Sequence, residues 1–486
     1  MPSKKPPSLN VLFIAAEADP FIKVGGLGDF AGSLPKALIN IDPALINGCK
    51  LIIRLVIPFH FAISQKNFDI KPLTKVEILI SKKVLSYDVF YTKLKNLIIY
   101  LIKTGDFYND EDSVYSSDPL HNINKYAPFS LACLELAKQL KWRVDILHAN
   151  DWHTALAIVK IKQQQKEEPF FEKTHTVLSV HNLAYMGGSN KKVLKAINLK
   201  PVSHPQLPPW ADDQPMPMGL ALSDLIIAVS PTYAAEIQTS KLGYGLQKFL
   251  RTRKHSIIGI LNGIDYQKWD PETDKCLDQN YSLKTINVRN KNKDALQKSL
   301  QFKMNPSNPL LAIISRLDHQ KGIDIALKSL AQLNQLPWQL VILGNGNQEL
   351  ENLCQKFSYE NPDRVRAIIS YDDDLARRIY SSADIILIPS RYEPCGTSQM
   401  IAMRYGCLPL ARATGGLKDS IEHSINGFLF EKPSTYSMSF ILTEALNLYS
   451  KNLGYWRKMQ ENAMQRDFTW KNSAMEYVHN YLRLIN

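Results

Sequence analysis

Short apolar runs recur along the chain, each followed by a turn and a longer amphipathic stretch, and this alternation most constrains the fold. The runs fall near 11–16, 52–57, 98–102, 144–148, 176–180, 225–229 and 257–261, then near 310–314, 339–343, 366–370, 385–389 and 407–410. Apolar runs without polar alternation predict strands buried on both faces, hence parallel sheets covered by helices. The polar stretch from Asp265 to Asn308 carries no such run and is read as a junction. A chain of 486 residues also exceeds what one core usually supports. The expectation is an α/β protein with two doubly wound domains, residues 1–262 and 263–460, and a last segment at 461–486.

Three loops at strand ends carry the chemistry. The run Val11-Leu12-Phe13-Ile14-Ala15-Ala16 leads to Lys23-Val24-Gly25-Gly26-Leu27-Gly28-Asp29, where Leu27, Ala31, Leu34, Ala37 and Leu38 open a helix. Glycines let backbone N–H groups approach an anion, the helix start adds its positive dipole end, and Lys23 adds a full charge. Gly25 and Gly26 are therefore candidate phosphate contacts. The second loop, Ser315-Arg316-Leu317-Asp318-His319-Gln320-Lys321-Gly322, puts a guanidinium and an ammonium after a buried strand. Such a pair grips phosphate oxygens by two parallel bonds and by a movable point charge. In the third, Arg391-Tyr392-Glu393-Pro394-Cys395-Gly396-Thr397-Ser398-Gln399, a carboxylate stands between a strand end and a helix start. Glu393 can accept hydrogen bonds from sugar hydroxyls, and Gly396, Thr397 and Ser398 can offer N–H groups and hydroxyls to phosphates. Together these loops read as a nucleotide-sugar site.

These loops belong to a collinear set with HANDWH (148–153), SVHNLAY (179–185), VSPTYAAEI (229–237), LNGIDYQKWDPETD (261–274) and ATGGLKD (413–419). The set spans nearly the whole chain and resembles the bacterial-type glycogen and starch synthases of glycosyltransferase family 5. The resemblance implies a GT-B fold, two Rossmann-like domains facing across a cleft, with a last helix after Asp467-Phe468-Thr469-Trp470 that crosses back onto the first domain. It implies transfer of glucose from ADP-glucose to an α-1,4-glucan with retention of configuration. It places His181 beside the transferred glucose, Asp151 where donor and acceptor meet, Tyr115 near the glucan path and Tyr371 over the adenine. Asn182 and Asn262 enter as substrate contacts on their matched motifs. The chain departs from the family pattern at Asn150, Ser370, Thr397, Ser398 and Ile401.

On this reading Arg316 and Lys321 stabilise the leaving diphosphate, because preorganised charge at a developing anion is usually the largest catalytic term. That supplies what a metal supplies elsewhere, so no metal and no cofactor are expected. Asp372-Asp373-Asp374 reads as a helix start. Cys395, the tempting nucleophile, has no base near it in sequence and reads as packing within the substrate loop. His148 and His153 stay open between structural and functional roles. The segment from Met186 to Met218 reads as a loop-rich surface where acceptor preference is set. Alternatives are a UDP-glucose-using synthase, a nucleotide-sugar epimerase of the same architecture, and a glucan-binding relative without catalysis.

The net charge of +12 is dispersed, without a Lys/Arg run, so an anionic sugar nucleotide is a better partner than nucleic acid. No apolar stretch has the length of a membrane span or a secretory core. Six cysteines without CxxC spacing suit a reducing cytoplasm.

Overall fold

A computed structural model describes residues 8–104, 114–116, 118–305 and 308–485. The chain divides into two compact units: one runs to Asn262 and takes back the helix from Trp470, the other is Gly263–Thr469. The strands of the first unit are β1 (Ser8–Ile14), β2 (Lys50–Pro58), β3 (Lys71–Ile80), β4 (Lys83–Leu94), β5 (Leu97–Lys103), β6 (Ile146–Asn150), β7 (His175–Val180), β8 (Leu225–Ala228) and β9 (Ile257–Gly259). They form one sheet in the order β3-β4-β5-β2-β1-β6-β7-β8-β9. From β5 to β9 every pair is parallel, while β3, β4 and β5 run antiparallel.

The central strands are apolar on both faces because helices cover both: Val11, Phe13 and Ile14 expose nothing. Each such side chain contributes about 1.5–3 kcal/mol, which holds the strand ends firm enough to aim the loops beyond them. β3 and β4 depart from the expectation of wholly parallel sheets. Along β3 only Val76 and Ile78 are buried, so this edge strand has an alternating signal rather than a continuous apolar run.

The second unit holds β10 (Leu310–Ile314), β11 (Gln339–Leu343), β12 (Val365–Ile368), β13 (Ile385–Ile388), β14 (Leu408–Arg412) and β15 (Phe428–Phe430). The order β12-β11-β10-β13-β14-β15 is parallel throughout and is the doubly wound pattern of dinucleotide-binding folds. β15 has only three residues, too few for a strand signal in sequence.

The boundary expected at 460 lies further on. The helix Leu453–Gln465 packs against Ser398–Arg404 and buries Trp456, Met459, Ala463 and Met464 in the second unit. The helix Trp470–Ile485 returns to the first unit and packs on Gly26–Ile39, with Trp470 and Tyr477 edge-on to Phe30 at 5.7 and 6.0 Å. No helix among the described residues is long and apolar enough to cross a membrane.

Candidate active site

Ligands of open parallel sheets collect beyond the strand C-termini where the strand order reverses. In the first unit that point lies between β1 and β6. The helix Gly26–Ile39 starts there, and a Cβ on Gly26 would meet nothing within 4 Å. Lys23 Nζ lies 2.7 Å from Asp29 Oδ2 at the lip of the turn.

Two amides of this turn, those of Val24 and Gly25, meet a carboxylate of the chain itself. Glu17, 1% exposed, accepts hydrogen bonds from Val24 N and, at 3.3 Å, from Gly25 N. Its other oxygen accepts from the Tyr115 hydroxyl at 3.0 Å. A helix start favours a nearby anion, and this chain supplies its own. The Gly25 amide thus has Glu17 as its partner in this structure. Burial pushes the Glu17 carboxyl up to about 7 against the pull of its donors. Burial, with Glu17 beside it, holds the Tyr115 hydroxyl well above its usual range.

Beyond β6, Asp151 opens the helix Asp151–Gln164 with φ at 53°, a left-handed conformation that costs a non-glycine residue about 1–3 kcal/mol. Its Oδ1 accepts from His181 N at 2.7 Å and Asn182 N at 3.5 Å, pinning the end of β7 to the end of β6. Burial pushes the Asp151 carboxyl up to about 7. Although an edge of His181 remains accessible, its packed surroundings, with Phe30 edge-on at 4.5 Å, push its pKa down to about 3. The imidazole is therefore neutral at physiological pH.

Asn150 sets its tautomer. Asn150 Nδ2 donates to Ile14 O at 2.9 Å, which turns Oδ1 toward His181 Nε2 at 3.1 Å. That oxygen only accepts, so Nε2 carries the proton and Nδ1 is an acceptor. Asn182 Oδ1 accepts from Ala184 N at 3.1 Å.

The two open histidines separate. His148 is fully buried, with Nδ1 2.5 Å from the Tyr481 hydroxyl and Nε2 2.7 Å from Ser179 Oγ, and is a core residue. The His153 ring lies 4.0 Å from that of Trp152, tilted by 33°, and 4.9 Å from the Tyr115 ring, its buried Nδ1 without a partner. Asn262 Oδ1, buried at the end of the unit, also has none.

The segment from Met186 to Met218 is more ordered than its composition implied. It contains the helix Lys191–Ala196 and is tied down by Ser189 Oγ to Asp213 Oδ2 at 2.6 Å and Met216 N to Met186 O at 3.1 Å. A Cβ on Gly187 would lie 2.6 Å from the Trp152 ring, so this segment packs on the residue after Asp151. Beside it is a cavity of about 600 Å³ lined by residues such as Asp118, Leu120, Ile123, Ser189, Asn190 and Lys192.

In the second unit the reversal lies between β10 and β13, where the other two loops emerge. Lys321 Nζ is 2.7 Å from Glu393 Oε2, to which Ser390 Oγ also donates at 2.9 Å. Two glycines allow this approach. Gly322 has φ at 69°, and its Cβ would fall 2.2 Å from Pro389 O; Gly415 has φ at 44°, and its Cβ would fall 1.9 Å from Glu393 O. Arg316 stands 59% exposed, 3.3 Å from Asp318 Oδ2.

Gly396 and Thr397 lead into the helix Ser398–Arg404, and Ser398 bonds the Tyr380 hydroxyl. Cys395 is buried, with Gln399 Nε2 3.3 Å from its carbonyl and 3.0 Å from that of Gly396. Gln399 Oε1 is buried without a partner. Tyr371, 78% exposed, precedes Asp372, which caps the helix Asp373–Ser382 by accepting from Leu375 N at 2.9 Å.

The loops thus bring together Lys321 with Glu393, and Asp151 with His181 and Asn182. Sequence reasoning missed Glu17, Ser390 and Gln399 and did not explain Asn150. Only Glu17 left a trace: an acid directly after the buried run ending at Ala16.

A doubly wound second unit, a mostly parallel first unit and basic and acidic groups at both reversal points define a GT-B glycosyltransferase. Residues 10–252 match the starch synthase catalytic domain family, and residues 294–466 match the glycosyl transferases group 1 family. The glycogen synthase of Thermotoga maritima is 36% identical over 98% of this chain and 99% of its own. The chain belongs to the glycogen/starch synthase family. The catalytic domain of starch synthase IV from Arabidopsis thaliana, bound to ADP and acarbose, superposes with a TM-score of 0.87 at 31% identity, covering 98% of this chain and 99% of that one. Sucrose-phosphate synthase from Thermosynechococcus elongatus, with a TM-score of 0.61 at 17% identity and coverage of 98% and 99%, shares the fold.

Proposed function

We propose that the chain lengthens an α-1,4-glucan with glucose from ADP-glucose, with retention at the anomeric carbon. The observation that carries the reading is the Lys321–Glu393 pair at 2.7 Å, a cation and a carboxylate at the strand-order reversal of the second unit. Lys321 and Arg316 take the diphosphate, and Glu393 accepts from the glucose hydroxyls. As the bond from the anomeric carbon to phosphate oxygen breaks, charge grows on a phosphate that these cations already face. The acceptor 4-hydroxyl oxygen bonds the same face of the carbon, and the departing phosphate takes its proton. This route needs no enzymatic nucleophile, metal or cofactor.

In the first unit, Lys23 meets the donor phosphates and Asp151 orients the acceptor hydroxyl. Neutral His181, with Nδ1 accepting, receives a hydrogen bond from a glucose hydroxyl. Tyr115, Asn182 and Asn262 line the sugars, Tyr371 covers the adenine, and the cavity beside Gly187 takes the acceptor chain. The reading of a cytoplasmic enzyme is supported by six cysteines held as thiols.

Purified protein given ADP-[14C]glucose and a maltooligosaccharide primer should place label in polymer that β-amylase releases as maltose. UDP-[14C]glucose in the same assay decides the nucleotide. Unlabelled polymer with both donors would refute the reading.

A further inference from the structure

Lys23 can serve the donor only if the turn that carries it is held, and the residue placed to hold it lies outside the glycine motif. We propose that Glu17 is a positioning residue: its carboxylate gathers the amides that follow Lys23 and ties them to Tyr115, so that the lysine and the aromatic wall beside Asp151 are set together. The inference rests on the reading of Lys23 as a contact of the donor phosphates.

Three observations support it. Oε2 of Glu17 takes both Val24 N and Gly25 N, the two amides directly after Lys23. A Cβ on Gly28 would stand 3.0 Å from Glu17 Oε2 and 3.0 Å from Lys23 Cγ, so carboxylate and lysine stem enclose one glycine between them. Oε1 takes the Tyr115 hydroxyl at 3.0 Å, and the Tyr115 ring leads through His153 to Trp152, the neighbour of Asp151.

All three hydrogen-bond partners are donors. The anion accepts from all three, whereas a neutral carboxyl gives up one acceptor oxygen and must turn the Tyr115 hydroxyl from donor to acceptor to place its proton. The other titratable groups around Glu17 are Asp29, paired with Lys23, Asp151, which it repels, Asp19, whose amide bonds Gly28 O, and His60, whose Nε2 meets Ala16 O at 3.0 Å. Burial against these donors leaves the carboxyl at about 7. The grip is therefore complete above neutral pH and loosens as pH falls through that value. Asp151 also titrates at about 7, and Glu17→Gln leaves it in place, so the pH dependence that this variant loses belongs to Glu17.

The test is calorimetric titration of the full chain with ADP-glucose alone, whose diester phosphates keep a constant charge across this range. In the parent, the Kd should weaken about tenfold from pH 8 to pH 6, following the anion fraction. Glu17→Gln reproduces the neutral carboxyl and cannot titrate, so its Kd should stay near the parental pH 6 value at both pH values, changing by less than about twofold between them. Glu17→Ala should bind the donor about tenfold more weakly at pH 8. A Glu17→Gln protein that keeps the parental pH dependence overturns the proposal, as does Glu17→Ala with parental affinity. If Lys23→Ala also binds normally, the phosphate reading of the turn falls with it. If Lys23→Ala is impaired while Glu17→Ala is not, only the role of Glu17 falls.

Discussion

Replacing Lys321 by alanine removes one cation from the proposed diphosphate grip and leaves Glu393 with Ser390 as its remaining side-chain partner here. One charge-assisted bond to the departing phosphate is worth about 1.5–3 kcal/mol, so kcat should fall about 10- to 150-fold at 1.36 kcal/mol per decade. The structure adds a cost in stability that a loop lysine would not suggest. Its side chain is 20% exposed and that of Glu393 only 9% exposed. Water reaches the lysine, so the loss should be about 1–2 kcal/mol, below the range for a fully buried pair. The assay measures initial rates against ADP-glucose and primer separately, with glucan affinity electrophoresis and calorimetric Tm on the same preparations. Turnover should fall, glucan affinity should hold and Tm should drop modestly. Lys321→Ala with Glu393→Gln should recover part of the Tm and none of the turnover, because the uncompensated charge is gone while the phosphate contact is not restored. A Lys321→Ala enzyme with kcat within about threefold of the parent would refute the phosphate assignment.

Activity should survive excess EDTA, since Arg316 and Lys321 supply the charge at the leaving group; loss on chelation and recovery with manganese or magnesium would show otherwise. Asp151→Asn should abolish most turnover yet raise Tm at pH 8. Burial raises the Asp151 carboxyl to about 7 in the folded chain from the ordinary aspartate value of 3.8 in the unfolded one, so its contribution to stability declines as pH rises from about 4 to 7 and stays low above. Asparagine also tolerates φ at 53° better, and most of the gain should vanish near pH 4; an unchanged Tm at pH 8 contradicts the buried-charge account. Gly415→Ala would set a Cβ 1.9 Å from Glu393 O, so the Glu393 loop must shift. Turnover should fall by about tenfold or more, and parental rates would mean that the loop position does not matter.

Much of the second unit was legible because its signals are local. A strand buried on both faces must be apolar throughout, as Leu310–Ile314 and Ile385–Ile388 are. A helix start also carries its own chemistry, as at Asp372. The antiparallel edge was not legible. β3 and β4 bury few residues and expose Leu79 and Val84, so neither gives the apolar run by which buried strands were found.

What the sequence alone determined is which residue types follow each buried run: Lys23 after the first, Arg316 and Lys321 after the strand at 310–314, Glu393 after that at 385–389. Tertiary structure decided what those residues touch. Lys321 meets Glu393 across 72 positions, and Tyr115 meets Glu17 across 98. His181 owes its tautomer to Asn150 and its pinned backbone to Asp151. Each pairing depends on which strands lie side by side, and burial by the whole unit sets the carboxyls of Glu17 and Asp151 near neutrality. Strand order and desolvation are properties of the assembled core, so no local stretch of sequence carries them.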